Sequence, residues 1–297
     1  MAGTAIRTRG LTKHFGAVRA VEAVDLEVTT GEIFGFLGPN GAGKTTTIRL
    51  LLDFLRPTAG SATVLGGTGA DPEVRRRMGY LPADLHVDHR YRAQDLFAFL
   101  GALRGRTDPV LLRGLLDRFD LDPTRPIGEL STGNRRKVGI VQAFMHRPEL
   151  VVLDEPTSGL DPILQHEFLG LVREVVAEGT TVFLSSHVLP EVERVADRVA
   201  ILRRGRLVTV ASVAELRSRA RQRIDLLVDG PVDGTVFHGV PGVVEVDGTD
   251  GLVRLVVEGR VDAALKAAAR LPVDRIVTHD ADLEEIFLAY YRDDEQR

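Results

Sequence analysis

Eight consecutive residues have the types and the spacing needed to bind a phosphate group. They fit the pattern G-x-x-x-x-G-K-[ST] and are Gly38, Pro39, Asn40, Gly41, Ala42, Gly43, Lys44 and Thr45. Glycines allow successive backbone N–H groups to turn inward around an anion. Lys44 would place a positive charge near the β- and γ-phosphates, and the Thr45 hydroxyl could ligate Mg²⁺. We call residues 38–45 the phosphate loop and expect Thr46, directly after it, to contribute to the same site.

The segments on both sides of the phosphate loop support this interpretation. An apolar run at residues 33–37 precedes the loop, and a helical pattern follows it, with Ile48, Leu51, Leu52 and Leu55 on one face. The positive end of that helix would point at the bound anion. The order strand, glycine loop, helix is the context in which this motif binds phosphate, and it disfavours an ordinary glycine turn that carries a lysine.

Two carboxylates follow a second apolar run further along the chain. Residues 150–153 are all apolar, as in a buried parallel strand, and Asp154 and Glu155 come directly after them. Functional groups collect at the carboxyl ends of such strands. Asp154 could reach Mg²⁺ directly or through water, and Glu155 could orient or deprotonate an attacking water. A solvated acidic pair is the alternative, which the upstream phosphate loop disfavours.

Two further side chains are candidates because of their positions. His187 follows a predicted buried strand at residues 180–184 and could hydrogen-bond the γ-phosphate, although most of the eight histidines are expected at the surface. Phe15 lies before the phosphate loop and could stack on a base. Taken alone, the Phe15 ring is better interpreted as part of the core.

Composition narrows the class of protein. The chain has 297 residues, of which 44% are hydrophobic and 27% charged, and these values fit a soluble globular protein with a full core. It has no cysteine, which excludes disulfides and thiolate metal sites, and its net charge of −4 gives no general case for nucleic acid binding. No run of ~18 apolar residues occurs, and the N-terminus lacks the apolar core of a signal peptide. We therefore expect a cytoplasmic protein.

A change in charge predicts two domains of unequal size. Residues 221–297 contain 9 basic and 16 acidic side chains, whereas residues 1–220 contain 29 and 26. We predict a nucleotide-binding domain at 1–220, with a helical insert at about 88–147, and a small α+β domain at 221–297. In the second domain the predicted strands are 223–228, 243–246, 253–257 and 274–278, and the predicted helices are 261–269 and 283–291. This order suggests a ferredoxin-like variant with a degenerate first helix.

The order and spacing of the motifs between about residues 4 and 215 resemble those of a known family. The matching segments are Phe15, the phosphate loop, the run Leu130, Ser131, Thr132, Gly133 and Asn134, residues 150–155, the run Ser158, Gly159, Leu160 and Asp161, and His187. They are similar to the adenine-stacking aromatic, Walker A, signature, Walker B, D-loop and switch histidine of the nucleotide-binding subunits of ATP-binding cassette (ABC) transporters.

This resemblance implies a fold, ligands and a second subunit. The implied fold is an α/β P-loop NTPase core with an antiparallel β-subdomain and a helical subdomain, followed by the small α+β domain. The implied ligands are ATP and Mg²⁺, with two subunits enclosing two ATP molecules head to tail. Ser131 would then face the phosphate loop of the other subunit, and Gly133 and Asp161 complete the expected nucleotide-binding set.

The resemblance also implies a subgroup and a membrane partner. Residues 130–139 and 282–290 look like the bacterial ABC-2-type exporters, which are related to drug-resistance and sodium-efflux pumps. The implied partners are an integral-membrane permease on a separate chain and a second nucleotide-binding subunit, expected to be an identical copy. The chain would lie peripherally on the inner face of the cell membrane, without nucleic acid.

Three positions differ from the family pattern. Thr132 and Asn134 replace the commonest glycine and glutamine of the signature motif. Ala83 stands where the family usually has a glutamine that helps to bind Mg²⁺ and links the site to the membrane subunit. Asp84 could meet Mg²⁺ or its waters if this segment shifts by one residue, and an ordinary solvated Asp84 is an equal alternative.

We therefore predict a Mg-dependent ATPase that drives export through a separate permease, with Lys44, Glu155 and His187 as the catalytic residues. The predicted metal ligands are Thr45, Asp154 and Asp84. Two alternatives stay open. One is a soluble ABC ATPase that acts on ribosomes or DNA, although such relatives tend to carry two cassettes or a long coiled-coil insertion. The other is an ATP-gated interaction module that does not hydrolyse ATP.

Overall fold

The computed structural model describes residues 3–105, 108–219, 221–230, 234–249 and 251–279. The chain separates into two compact units, Met1–Val210 and Ala211–Arg297. The functional division into residues 1–220 and 221–297 stays a prediction.

Strands and helices alternate through most of the described chain. The strands are β1 (Thr4–Phe15), β2 (Val18–Thr29), β3 (Ile33–Leu37), β4 (Ala59–Val64), β5 (Met78–Leu81), β6 (Leu150–Asp154), β7 (Thr181–Ser186), β8 (Arg198–Arg203), β9 (Arg206–Ser212), β10 (Arg221–Val228), β11 (Val243–Thr249), β12 (Leu252–Glu258) and β13 (Val273–His279). The helices are α1 (Lys44–Leu51), α2 (Pro72–Arg76), α3 (Ala93–Arg104), α4 (Pro109–Arg118), α5 (Thr132–Phe144), α6 (Pro162–Ala177), α7 (Leu189–Glu193), α8 (Val213–Arg219) and α9 (Asp262–Ala268). Short 3₁₀ turns occur at Ile127–Glu129 and Gly234–Phe237.

A six-stranded sheet in the order β5-β6-β7-β3-β8-β9 forms the centre of the first unit. Neighbours from β5 to β8 are parallel, so the carboxyl ends of β3, β6 and β7 meet at one edge. Every residue of these three strands is buried, as their apolar runs predicted. The sequence analysis did not predict β5, a four-residue strand that pairs with β6.

The predicted antiparallel subdomain is confirmed as a three-stranded sheet in the order β2-β1-β4. Its inward-facing side chains pack with those of α1 and the central sheet in one hydrophobic core, which includes Ile6, Leu26, Phe36, Ile48 and Phe183. The helix that follows the phosphate loop is therefore fixed from two sides. This packing is what holds the start of α1 against the end of β3.

The predicted helical segment is confirmed as α3, α4 and α5, and its caps follow from the sequence. Asp108 begins α4 by accepting hydrogen bonds from the N–H groups of Val110 and Leu111 at 3.1 and 3.0 Å, and Pro109 occupies the first helical position. Ser131 begins α5 by accepting a hydrogen bond from the N–H of Asn134 at 3.2 Å.

The second unit contains an antiparallel sheet in the order β11-β12-β10-β13. This strand order, with a 3₁₀ turn at Gly234–Phe237 in place of a first helix, agrees with the predicted ferredoxin-like variant. One face of the sheet packs on α9 and the turn through a separate core that includes Leu226, Phe237 and Leu255. The helix predicted at residues 283–291 lies outside the described residues. Among the helices that the structure describes, none is long and apolar enough to cross a membrane.

Candidate functional site

The phosphate loop runs from the end of β3 into α1 with two residues in the left-handed region. Gly41 has a φ of 80°, and Gly43, which begins α1, has a φ of 108°. A Cβ atom at Gly43 would lie 2.3 Å from the carbonyl oxygen of Ala20, so no larger residue fits there. No side chain caps the start of α1, and the N–H groups of its first turn are therefore free to meet an anion.

Lys44 is buried at the centre of this loop, with only 6% of its side chain exposed. Its Nζ donates hydrogen bonds to the carbonyl oxygens of Gly38 at 2.6 Å and Pro39 at 3.2 Å. The same Nζ lies 3.1 Å from Oε1 of Glu155, with which it forms an ion pair. The two carbonyl bonds use two of the three N–H donors of the ammonium group, whereas Oε1 of Glu155 accepts no hydrogen bond within the described part of the chain and is paired with Lys44 by charge alone. A phosphate that binds Lys44 would therefore compete with the negative charge of Glu155.

Glu155 connects Lys44 to His187. Its second oxygen, Oε2, lies 2.7 Å from Nδ1 of His187, whose side chain is about half exposed. The backbone of Glu155 has a φ of 48°, in the left-handed region that non-glycine residues rarely adopt. Its N–H donates to the carbonyl and hydroxyl oxygens of Ser185 in β7, both at 3.2 Å. The structure thus brings together the three residues predicted to be catalytic.

Asp154, at the end of β6, is completely buried. Its Oδ1 accepts a hydrogen bond from the Ser185 hydroxyl at 2.6 Å, whereas Oδ2 has no partner among the described residues. A buried carboxylate oxygen without a partner is costly unless a ligand fills that role, and carboxylate oxygens suit Mg²⁺. Burial raises the pKa of Tyr80 to about 12, and the negative charge of Asp154 adds to this effect.

Ser131, Gly133 and Asp161 lie at the starts of two helices. Asp161 begins α6 by accepting hydrogen bonds from the N–H groups of Ile163 and Leu164, both at 3.0 Å. The side chain of Ser131 makes the equivalent bond at the start of α5. No hydrogen bond or ion pair in the described part of the chain links these three residues to Lys44, Glu155 or His187. Their predicted contact with nucleotide stays a prediction.

Phe15 is at the surface, with 47% of the residue exposed. Nζ of Lys13 lies 5.1 Å from the centre of its ring and donates a hydrogen bond to the carbonyl oxygen of Arg56 at 2.8 Å. The interpretation of Phe15 as a core residue was therefore wrong, because Phe15 is the last residue of β1 and pairs with the exposed Val18 at the turn into β2. Stacking of Phe15 on a base stays a prediction.

Asp84 lines a cleft between the segment after β5 and the starts of α5 and α6. The cleft is lined by residues 83–89, Thr132, Arg135, Arg136, Ser158 and Gly159. In the described part of the chain, no three or more histidine, aspartate or glutamate side chains come close enough together to hold a metal ion. A metal contact by Asp84 stays a prediction.

Two residues that organise the site were missed by the sequence analysis. Ser185 bonds Asp154 and Glu155. The sequence feature that could have identified it is a hydroxyl side chain at the end of a buried strand. Arg136 is 5% exposed and donates to the carbonyl oxygens of both Asp154 and Glu155. The sequence feature that could have identified Arg136 is a charged side chain on the same helical face as the apolar residues Ile140 and Ala143.

Comparison with known proteins agrees with this geometry. A family model described as ABC transporter matches residues 21–158. The daunorubicin/doxorubicin resistance ATP-binding protein DrrA of Streptomyces peucetius is 38% identical over 221 residues, which are 72% of this chain and 67% of that protein. The daunorubicin resistance ATP-binding protein DrrA3 of Streptomyces coeruleorubidus is 33% identical over 304 residues, which are 94% of this chain and 96% of that protein.

A solved structure has the same fold as the first unit. It is described as the ATP binding subunit of an ABC transporter, and it is similar with a TM-score of 0.67 and 30% identity over 72% of this chain and 92% of that one. The chain belongs to the ABC transporter family, as one of its ATP-binding proteins. The predicted family, its drug-resistance group and its α/β P-loop core are therefore confirmed.

The two left-handed glycines of the phosphate loop allow a matched test of its geometry. We expect Gly43→Ala to weaken ATP binding by at least roughly tenfold, because the new methyl group collides with the Ala20 carbonyl and displaces the start of α1. Gly41→Ala adds a methyl group in open space and strains only the backbone, so its effect should be smaller. Titration with a fluorescent ATP analogue, with a thermal melt as the folding control, measures both. Equal affinities in the two variants would contradict the assigned geometry.

Proposed function

We propose that the chain is the ATP-hydrolysing subunit of an exporter, which pairs with a second copy when it binds ATP and drives a separate membrane permease. The observation that carries the proposal is the line of contacts from Lys44 through Glu155 to His187. It supports hydrolysis, because a phosphate-binding cation lies 3.1 Å from one oxygen of the candidate base and a histidine lies 2.7 Å from the other.

In the proposed mechanism, the ATP phosphates enter the phosphate loop and meet the free N–H groups at the start of α1. Lys44 then turns from Glu155 to the β- and γ-phosphates, since a charge-assisted bond to phosphate replaces the ion pair. This exchange frees Glu155 Oε1 to accept a proton from the attacking water. His187 stays bonded to Glu155 Oε2 through Nδ1 and is proposed to contact the γ-phosphate through its other ring nitrogen.

Asp154 and Thr45 are the proposed Mg²⁺ ligands, and Asp84 is a further candidate. The unpartnered, buried Oδ2 of Asp154 is what fits this role, because a bound cation would satisfy it. Ser185 holds the other oxygen and so fixes the orientation of the carboxylate. When bound, the cation would neutralise the charge that develops on the phosphates.

Ser131, Gly133 and Asp161 are proposed to bind the nucleotide of the second copy. Within the described part of the chain, none of the three bonds Lys44, Glu155 or His187, which supports this arrangement. The start of α5, which has 13 residues, brings a positive helix end to a surface position, where it could meet the γ-phosphate of the partner. Phe15 is proposed to stack on the adenine, since its ring is exposed and already pairs with Lys13.

An integral-membrane permease of the ABC-2 type is the proposed partner, and the inner face of the cell membrane is the proposed location. The relatives' names, which describe ATP-binding proteins of daunorubicin resistance, support a role in removing a compound from the cell. The candidate surface for the permease is the cleft around residues 83–89 together with the helical segment.

Glu155→Gln tests hydrolysis and pairing together. The amide keeps the shape of the side chain and removes its basic oxygen, so we expect kcat to fall by roughly 100-fold or more while ATP still binds. Unhydrolysed ATP should then hold two subunits together, which light scattering with ATP and Mg²⁺ would detect as a doubled mass. Wild-type turnover in this variant would remove Glu155 from the mechanism. Slow turnover in a strictly monomeric variant would instead disprove pairing with a second copy.

Recovery of the chain from its own cells tests the membrane partner. We expect the tagged chain to sediment with membranes and to co-purify with a protein that has several membrane-spanning segments. Deletion of the gene for that protein should release the chain into the soluble fraction. Sedimentation with ribosomes, or membrane attachment that survives the deletion, would contradict the proposal.

A further inference from the structure

The Arg136 side chain is the most extensively bonded buried cation in the described part of the first unit. It lies on α5 and is 5% exposed. All three of its guanidinium nitrogens donate to backbone carbonyl oxygens, which belong to Pro82, Ala83, Asp154, Glu155 and Pro156. Burial lowers the pKa of Arg136, and the carboxylates of Asp154, Asp84 and Glu155 oppose this effect in that order.

These five carbonyls come from two segments that are far apart in the sequence. Nη1 bonds Pro82 and Ala83, with a distance of 2.8 Å to the Ala83 oxygen. Nε bonds Pro156 at 3.0 Å, and Nη2 bonds Asp154 at 3.0 Å and also Glu155. A planar guanidinium can serve both segments at once because its donors point in fixed, different directions. Arg136 is therefore a rigid connection between the segment after β5 and the end of β6.

The connection ends at Glu155, which has a left-handed backbone although it is not a glycine. Glu155 keeps a φ of 48° only if its surroundings hold both sides of the residue. Ser185 bonds its N–H, and Arg136 bonds its carbonyl oxygen. The direction of the Glu155 side chain, and hence its distance to Lys44, follows from this backbone conformation.

We propose that Arg136 is a positioning residue for hydrolysis, which sets the Glu155 carboxylate and couples its position to residues 82–83. Arg136 touches neither nucleotide nor water in this role and acts through the backbone of residues 154–156. Residues 83–89 line an open cleft, so a partner that moves this segment would pull on the same guanidinium. The inference rests on the proposed function, since it assigns Glu155 a part in ATP hydrolysis.

Steady-state ATP hydrolysis by full-length Arg136→Met and Arg136→Lys proteins tests the proposal. We expect kcat to fall by roughly 10- to 100-fold in Arg136→Met with the KM for ATP unchanged, because the base is misplaced while the phosphate loop stays intact. Arg136→Lys keeps the charge but has a single donor nitrogen, which can reach one segment and not both. Arg136→Lys should also lower kcat without changing the KM for ATP, but by a smaller factor. If Arg136→Met does not fold, Arg136→Lys alone tests the proposal.

Arg118→Met is the matched control. Arg118 is also a largely buried arginine of the first unit, and it bonds Glu167 and Glu174, far along the chain from the site. This variant should lower the melting temperature and leave kcat unchanged. Wild-type kcat in both Arg136 variants, or a fall in kcat that only follows the loss of thermal stability, would overturn the inference. Absence of turnover in the wild-type protein would instead overturn the proposed function, and the inference with it.

Discussion

The first unit is organised around one buried ammonium group, Nζ of Lys44. A charge with so little exposure needs an opposite charge and hydrogen-bond partners. Two carbonyls of the phosphate loop accept hydrogen bonds from Lys44, and the Glu155 carboxylate supplies the opposite charge. The glycines let the loop curl around Lys44, and the parallel sheet brings β3 and β6 to the same edge, where the partner carboxylate lies.

The strand between those two, β7, holds the carboxylates in place. It ends in hydroxyl groups and is followed by His187. Ser185 bonds the Asp154 carboxylate and the backbone N–H of Glu155, and His187 bonds the Glu155 carboxylate. Arg136 holds the same segment from the opposite side, through backbone carbonyls. In this arrangement a phosphate can replace Glu155 at Lys44 without disturbing Asp154, because the two carboxylates are held by separate bonds.

The sequence predicted what depends on local pattern and missed what depends on distant contacts. The phosphate loop and the buried strands each follow from a few neighbouring residues, and both are present. The strand β5 was missed because its four residues carry too little pattern and form a strand only beside β6. The Lys44–Glu155 ion pair and the five bonds of Arg136 join segments that are far apart in the chain, and no spacing rule identifies such contacts.

The central claim is that Glu155 and phosphate compete for Lys44. ADP affinity measured by calorimetry tests it most directly, because ADP brings a phosphate to Lys44, is not hydrolysed and has no γ-phosphate to hold a second copy. Glu155→Gln removes the negative charge that lies 3.1 Å from Nζ of Lys44, so this variant should bind ADP at least roughly tenfold more tightly than the wild-type protein. Glu129→Gln removes the same charge from an exposed position and should leave the affinity unchanged. Equal or weaker ADP binding by Glu155→Gln would contradict the account.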